Sequence, residues 1–130
     1  MNKSFEAIIP VDTWPEVFTF SPATRAGNTI YLSGTVATND KGEIVGDNLV
    51  DQTRFILGKF KRILESCGAD MSCIVETTEY VTTLDDYRST GDVRREFFSP
   101  PYPAATGVKV AALARPGALI EIKGIAVLPA

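Results

Sequence analysis

Histidine is missing from all 130 residues of the chain. That absence excludes Ser-His-Asp and Cys-His nucleophilic machinery. It also excludes histidine-ligated zinc or iron and imidazole proton shuttles. Chemistry here must come from carboxylates, lysine, tyrosine, hydroxyls, backbone groups or bound water. Cysteine is scarce: Cys67 and Cys73 are the only two, too few for a disulfide scaffold or an all-cysteine zinc site. They read as reduced, mostly buried thiols. No calcium-loop or phosphate-loop spacing occurs, so neither a metal nor a cofactor is expected. No apolar run approaches the roughly 18 residues of a membrane span. The opening Met1-Asn2-Lys3-Ser4-Phe5-Glu6 lacks the apolar stretch of a secretory signal. The expectation is a cytoplasmic protein with no membrane partner. Positive charge is in deficit, 13 basic against 16 acidic residues for a net charge of −3. That balance argues against a nucleic-acid partner.

The composition is that of a globular protein, 45% apolar and 22% charged. The length suits one domain, 1–130, with a core of its own. Residues 5–11 read as a short edge strand, because Pro10 removes a ladder donor, and 12–16 as a loop. Residues 17–26 and 29–37 read as two strands joined at Gly27-Asn28, a pair that favours a tight turn. Ser33-Gly34 interrupts the second strand and marks a bulge or a close backbone approach. Asn39-Asp40-Lys41-Gly42 is a turn. Asn48 or Asp47 caps a helix from Leu49 to Cys67, along which Ile56, Phe60, Ile63 and Cys67 form one apolar stripe; Gly68 stops it. Residues 73–83 are dense in β-branched strand formers. A second helix runs from Leu84-Asp85-Asp86 to about Phe98, capped by Asp85 or Asp86. Residues 104–113 and 119–128 read as a final hairpin around Arg115-Pro116-Gly117-Ala118. Ile120 and Ile122 face one way along it, and Leu119, Glu121 and Lys123 the other. The order β-β-β-α-β-α-β-β predicts an α+β fold, a mixed sheet with two helices on one face. Its other face is apolar enough to imply self-association.

Few residues carry chemistry. Glu121 lies between isoleucines in the last strand. Partial burial disfavours the charged form of a carboxylate and suits it to general acid or base work; pairing with Lys123 or Lys109 is the structural alternative. Ala105, Gly107 and Lys109 share one strand face, where two small residues leave space for a pocket wall or for close packing against another subunit. Lys109 serves as a Schiff-base amine only if burial depresses it. Thr106 and Ser33 can hydrogen-bond a substrate or a water, but lack an activating base. Tyr31, Tyr87 and Tyr102 read as packing residues.

Several strings run in order along nearly the whole chain. They are Phe20-Ser21-Pro22-Ala23-Thr24-Arg25-Ala26-Gly27-Asn28, Ile30-Tyr31-Leu32-Ser33-Gly34, the helix start near Asp51-Gln52-Thr53, Glu65-Ser66-Cys67-Gly68-Ala69 and Val75-Glu76-Thr77-Thr78-Glu79-Tyr80-Val81. Phe97-Phe98, Pro103-Ala104, Val108-Lys109-Val110 and Ile120-Glu121-Ile122-Lys123-Gly124-Ile125-Ala126-Val127 follow. In these strings the chain resembles the Rid family of reactive intermediate deaminases, also called the YjgF type. The resemblance implies a chorismate-mutase-like fold and a homotrimer with sites in the clefts between subunits. It also implies cofactor-free, metal-free hydrolysis of small enamines and imines to 2-oxo acids and ammonia.

Residue by residue, the resemblance transfers unevenly. The family's carboxylate-binding arginine falls on Ala105, flanked by Thr106, and its small polar or cysteine residue falls on Gly107. A frequent tyrosine falls on Phe20, and a helix asparagine on Gly91. The Ser33-Gly34 turn, whose backbone lines the cleft, is retained. So is the glutamate that positions water, Glu121. Alanine cannot replace a bidentate arginine, and a cleft widened at Ala105, Gly107 and Gly91 suits a bulkier, aminomuconate-like acid. Arg25, Arg88, Arg94, Arg95, Arg115 and Lys109 are the cations available as substitutes. Two functions follow: a C–N hydrolase acting on a small-molecule substrate, with Glu121 catalytic, or a non-catalytic small-molecule-binding or regulatory trimer.

Overall fold

A computed structural model of the chain describes residues 3–10 and 14–129. Its strands are β1 (Glu6–Ile8), β2 (Ala23–Ala26), β3 (Thr29–Thr35), β4 (Ile74–Val81), β5 (Ala104–Lys109) and β6 (Ile120–Val127). The helices are α1 (Leu49–Ser66) and α2 (Thr90–Phe97). One sheet takes them in the order β1-β2-β3-β6-β4-β5. All neighbours are antiparallel except β4 and β5, so the sheet is mixed, as expected.

The expected C-terminal hairpin does not form. β5 pairs in parallel with β4, and β6 enters between β3 and β4. The reason lies in what each strand can bury. Ile120, Ile122, Gly124 and Ala126 alternate as fully buried positions along β6, which needs covered neighbours on both sides. β5, with Ala104, Ala105 and Gly107, has little side-chain surface to hide, and every one of its residues is exposed. It takes the edge. Gln52 fixes the connection between the two strands. Its Nε2 donates to the carbonyls of Gly46 (3.0 Å) and Gly117 (3.3 Å), and its Oε1 accepts from the Leu119 amide (2.9 Å).

Both helices cover the same face. Phe60 of α1 lies 3.9 Å from where a Cβ on Gly124 would stand. Arg94 of α2 reaches Glu79, which is registered with Ile122 on that same face. The core between them is built from Ile30, Leu32, Ile56, Phe60, Leu64 and Ile122. The opposite face has no covering layer among the described residues, and Tyr31, Val108 and Val127 stand 41–49% exposed on it.

Other boundaries differ from the sequence reading for local reasons. The first strand is three residues long, and Val11, Asp12 and Thr13 lie outside the described residues. Residues 15–18 form a turn, closed by the Phe18 amide on the Pro15 carbonyl at 3.0 Å and packed by Trp14, Phe18 and Phe20, and β2 starts only at Ala23. Strand β2 meets β3 through the two-residue turn Gly27-Asn28, with Gly27 at φ +60°. Asn48 caps α1, accepting from the Asp51 amide at 2.8 Å. α2 starts later than expected because Asp86 sits in the left-handed region at φ +61° and caps a short 3-10 turn, Tyr87–Ser89. Cys67 and Cys73 are free and half-buried. No helix among the described residues is long and apolar enough to cross a membrane.

The end of α1 is closed by paired backbone bonds. The Ala69 amide donates to the Leu64 carbonyl at 2.9 Å and the Gly68 amide to Glu65 at 3.3 Å, with Gly68 at φ +81°. Gly68→Ala should therefore destabilise the protein by about 1–2 kcal/mol. Gly58, in mid-helix with nothing within 4 Å of a built Cβ, should respond oppositely: Gly58→Ala should stabilise by about 0.5–1 kcal/mol. Urea unfolding midpoints at fixed protein concentration check both, and equal signs would contradict the assignment.

Candidate active site

Strand register divides the residues singled out from the sequence between the two faces of the sheet. Ser33, Gly34, Glu121 and Thr106 belong to the open face. Opposite Lys123, β3 carries two residues, Ser33 and Gly34, where its partner carries one, because Leu32 pairs with Gly124 and Thr35 with Ile122. The bulge is tied down on all sides. Ser33 Oγ donates to the Ser21 carbonyl at 2.5 Å, its amide donates to the Pro22 carbonyl at 3.0 Å, and Thr35 Oγ1 donates to the Ser33 carbonyl at 2.7 Å. The half-buried Glu121 carboxylate rests on the bulge. A Cβ on Gly34 would stand 2.7 Å from Glu121 Oε2, so only glycine leaves the carboxylate its place. Among the described residues Glu121 forms no ion pair, with Lys109, Lys123 or any other cation. Thr106 lies exposed on the edge strand, opposite Thr78.

Phe20 belongs to this group through its neighbour Ser21. Its ring stacks on Phe18 with centroids 5.3 Å apart and meets Trp14 edge-on at 5.8 Å. Trp14 Nε1 donates to the Phe20 carbonyl at 2.8 Å. The three rings form an exposed apolar step beside the bulge, with Phe20 53% exposed.

Ala105, Gly107 and Gly91 gather on the helix side. Ala105 is registered with Thr77 and Gly107 with Glu79. Glu79 is a carboxylate only 3% exposed. Tyr87 donates its hydroxyl to Glu79 Oε1 at 2.7 Å, and Arg94 Nη1 donates to Oε2 at 3.1 Å. Arg94 Nη1 also donates to Thr90 Oγ1 at 2.7 Å, and Thr90 in turn donates to the Tyr87 carbonyl at 2.6 Å. Burial, and then the bond to Glu79, push the Tyr87 phenol up to about 12. The space expected at Gly107 is not open, because a Cβ there would overlap the Tyr87 hydroxyl. The space at Gly91 and Ala105 is open. Both border a cavity of about 230 Å³ with Arg94, Arg95, Thr77 and Tyr102 on its walls.

Sequence reasoning read Tyr87 as packing and did not single out Glu79. A signal existed: Thr77, Glu79 and Val81 alternate on one side of a β-branched strand, so a carboxylate falls where apolar side chains belong. No cluster of three or more His, Cys, Asp or Glu suited to a metal occurs among the described residues.

Comparison with known proteins agrees with this architecture. A family model described as Endoribonuclease L-PSP matches residues 14–128. A 2-iminobutanoate/2-iminopropanoate deaminase of Dermatophagoides farinae is 34% identical over 110 residues, 84% of this chain and 85% of that protein. A 3-aminoacrylate deaminase, RutC, of Acinetobacter baylyi is 33% identical over 123 residues, 93% of this chain and 96% of that one. The crystal structure of a YjgF/YER057c/UK114 family member from Mycobacterium tuberculosis superposes with a TM-score of 0.81 at 29% identity, covering 96% of this chain and 100% of that one.

The contact between Gly107 and Tyr87 makes a coupled prediction. Gly107→Ala should destabilise by about 1–3 kcal/mol through overpacking. Tyr87→Phe, which removes the overlapping oxygen, should recover part of that loss in the double variant; strictly additive effects in a urea-unfolding cycle would refute the contact. Absorbance titration should show one tyrosine ionising near 12, and Tyr87→Phe should abolish that step. Because the folded value lies above the unfolded value of about 10, Tyr87's contribution to stability is complete below pH 10. It is lost as pH rises through about 12.

Proposed function

The chain belongs to the Rid, or YjgF, family, whose model is described as Endoribonuclease L-PSP, and on that premise we propose that it is a Rid-type deaminase. It hydrolyses the C–N bond of a small enamine or imine, without a cofactor, in clefts between the subunits of a homotrimer. The observation that carries this reading is the Glu121 carboxylate, free of any ion pair among the described residues and seated on the Gly34 backbone at the open face.

The chemistry asks little of the protein. An enamine tautomerises to its imine by taking a proton on carbon. Water then adds to the imine carbon while Glu121 accepts its proton. The proton passes to the amino nitrogen of the resulting carbinolamine. Collapse re-forms a carbonyl and releases ammonia, so one imino acid and one water give one 2-oxo acid and one ammonia. Oriented water and one carboxylate suffice, which suits a chain without histidine. The Gly34 backbone lines the same place and holds the polar end of the substrate, with Ser33 fixing the bulge and Phe20 beside it.

The faces of the sheet support a site shared between copies. Glu121 and the cavity at Ala105 lie on opposite sides of one sheet, so one chain cannot bring them to the same substrate. A second copy can, by laying its exposed β5 edge and cavity against the uncovered face carrying Tyr31, Val108 and Val127. Burying such a face also removes apolar surface from water.

Freshly generated 2-iminobutanoate should decay faster with the protein than in buffer, and Glu121→Gln should lower the enzymatic rate at least about a hundredfold. Gly34→Ala should keep the fold and lose activity, because the added methyl displaces a flexible carboxylate rather than backbone. No acceleration over buffer sinks the reading for this substrate and turns the search to larger, aminomuconate-like acids. A monodisperse monomer in light scattering at micromolar concentration removes the shared site.

A further inference from the structure

We propose that Arg94 and Arg95, projecting from α2, hold the substrate carboxylate, at the cavity where Ala105 contributes no charge. The inference rests on the deaminase reading and specifies how its substrate is bound. Both guanidiniums converge on one point: a Cβ built on Gly91 would have Arg94 Nη2 and Arg95 Nη1 as its nearest neighbours, each at 3.8 Å. Residues three and four positions on from Gly91 share its helix face, and that face borders the cavity of about 230 Å³ with Ala105 and Tyr102. Absence of a side chain at 91 leaves the guanidiniums bare toward the cavity.

Their existing bonds leave donors to spare. Arg94 spends Nη1 on Glu79 and Thr90, which fixes the side chain and leaves Nη2 toward Gly91. Glu79 thus acts as a positioning residue. Among the described residues Arg95 pairs with Asp92 alone, through Nη1 at 2.9 Å, and both partners are exposed, at 66% and 86%. An exposed pair of this kind is weak and exchangeable. A planar guanidinium matches a carboxylate with two parallel bonds. Glu79 already neutralises Arg94, so the cavity is set for one carboxylate, taken in exchange for the exposed Asp92 on Arg95. Tyr102, Pro103 and Ala105 give an apolar wall. The cavity, about 230 Å³ and open on one side, has room for a small organic acid. The ligand class is therefore an unsaturated acid whose carboxylate meets α2 and whose body lies along Tyr102. Its reacting carbon projects toward Glu121 of a second copy.

Isothermal titration of the assembled protein tests this, with 2-oxobutanoate and trans,trans-hexa-2,4-dienoate as unreactive carboxylates and methyl 2-oxobutanoate as the neutral control. Arg95→Gln should raise the carboxylate Kd about tenfold or more and leave the ester unaffected. Arg94→Lys keeps a cation against Glu79, so the fold survives, yet it loses the fork and should weaken carboxylates similarly. Adding Ala105→Arg to Arg95→Gln should restore carboxylate binding. Hydrolysis of 2-iminobutanoate should lose on KM rather than on kcat. Carboxylate affinities unchanged in both arginine variants overturn the proposal, as does failure of wild-type protein to bind either carboxylate. The two readings fail separately. Arginine-dependent binding without turnover leaves the anchor standing and removes the deaminase reading. Turnover with a KM indifferent to both arginines does the reverse.

Discussion

Alternation along β6 governs both halves of the molecule. Every second residue, Ile120, Ile122, Gly124 and Ala126, is driven under the helices, and the residues between are thereby turned to the uncovered side. Glu121 takes its position from this constraint alone. A shift of one residue in register would bury the carboxylate among isoleucines and expose the core. The bulge at Ser33-Gly34 completes the arrangement, because the extra residue in β3 brings a side-chain-free backbone beneath that carboxylate. Hydrophobic burial on one face thus sets polar geometry on the other.

The helix side is organised by a different demand. A carboxylate buried as deeply as Glu79 must be paired and hydrogen-bonded, since removing one partner from a buried ion pair costs several kcal/mol. Arg94 and Tyr87 meet that need from α2 and the turn before it, so the helix docks in one rotation about its axis. Gly107 belongs to the same arrangement: the edge strand gives up a side chain where the phenol must lie. Small residues that read as spare room in the sequence therefore differ in kind. Gly107 is filled from within the chain, whereas Gly91 and Ala105 border open space.

Much of the fold was legible. Helix α1, a cap at Asp47 or Asn48, its glycine stop, the Gly27-Asn28 turn and the buried phase of β6 all follow from local pattern; the structure selects Asn48. So did the pairing of interest at the open face, because an isolated Ser-Gly inside a strand former run announces a bulge or a close approach, and both are present. Strand order was not legible. Residues 104–109 and 120–127 adjoin in sequence with a turn signal between them, yet β6 prefers two covered neighbours to one, a preference that only the whole sheet expresses. The late start of α2 came from one left-handed residue, Asp86, and aspartate suits both helix caps and such turns. Glu79 was legible by phase but was hidden in a run of β-branched neighbours.

The central place of β6 bears on how the protein is made. Strands β3 and β4 have no direct pairing with each other; each waits for β6. The ladder that pairs Thr29 with Val127 closes about three quarters of the 130-residue chain, a non-local contact of the kind that slows folding. A nascent chain on the ribosome can form α1 and the β2–β3 hairpin early, but it carries an open slot in its sheet until residues 120–127 have left the exit tunnel. Through that interval the slot exposes two unpaired strand edges, a template for neighbouring chains, and chaperone dependence during synthesis would follow from strand order rather than from any weakness of the finished fold.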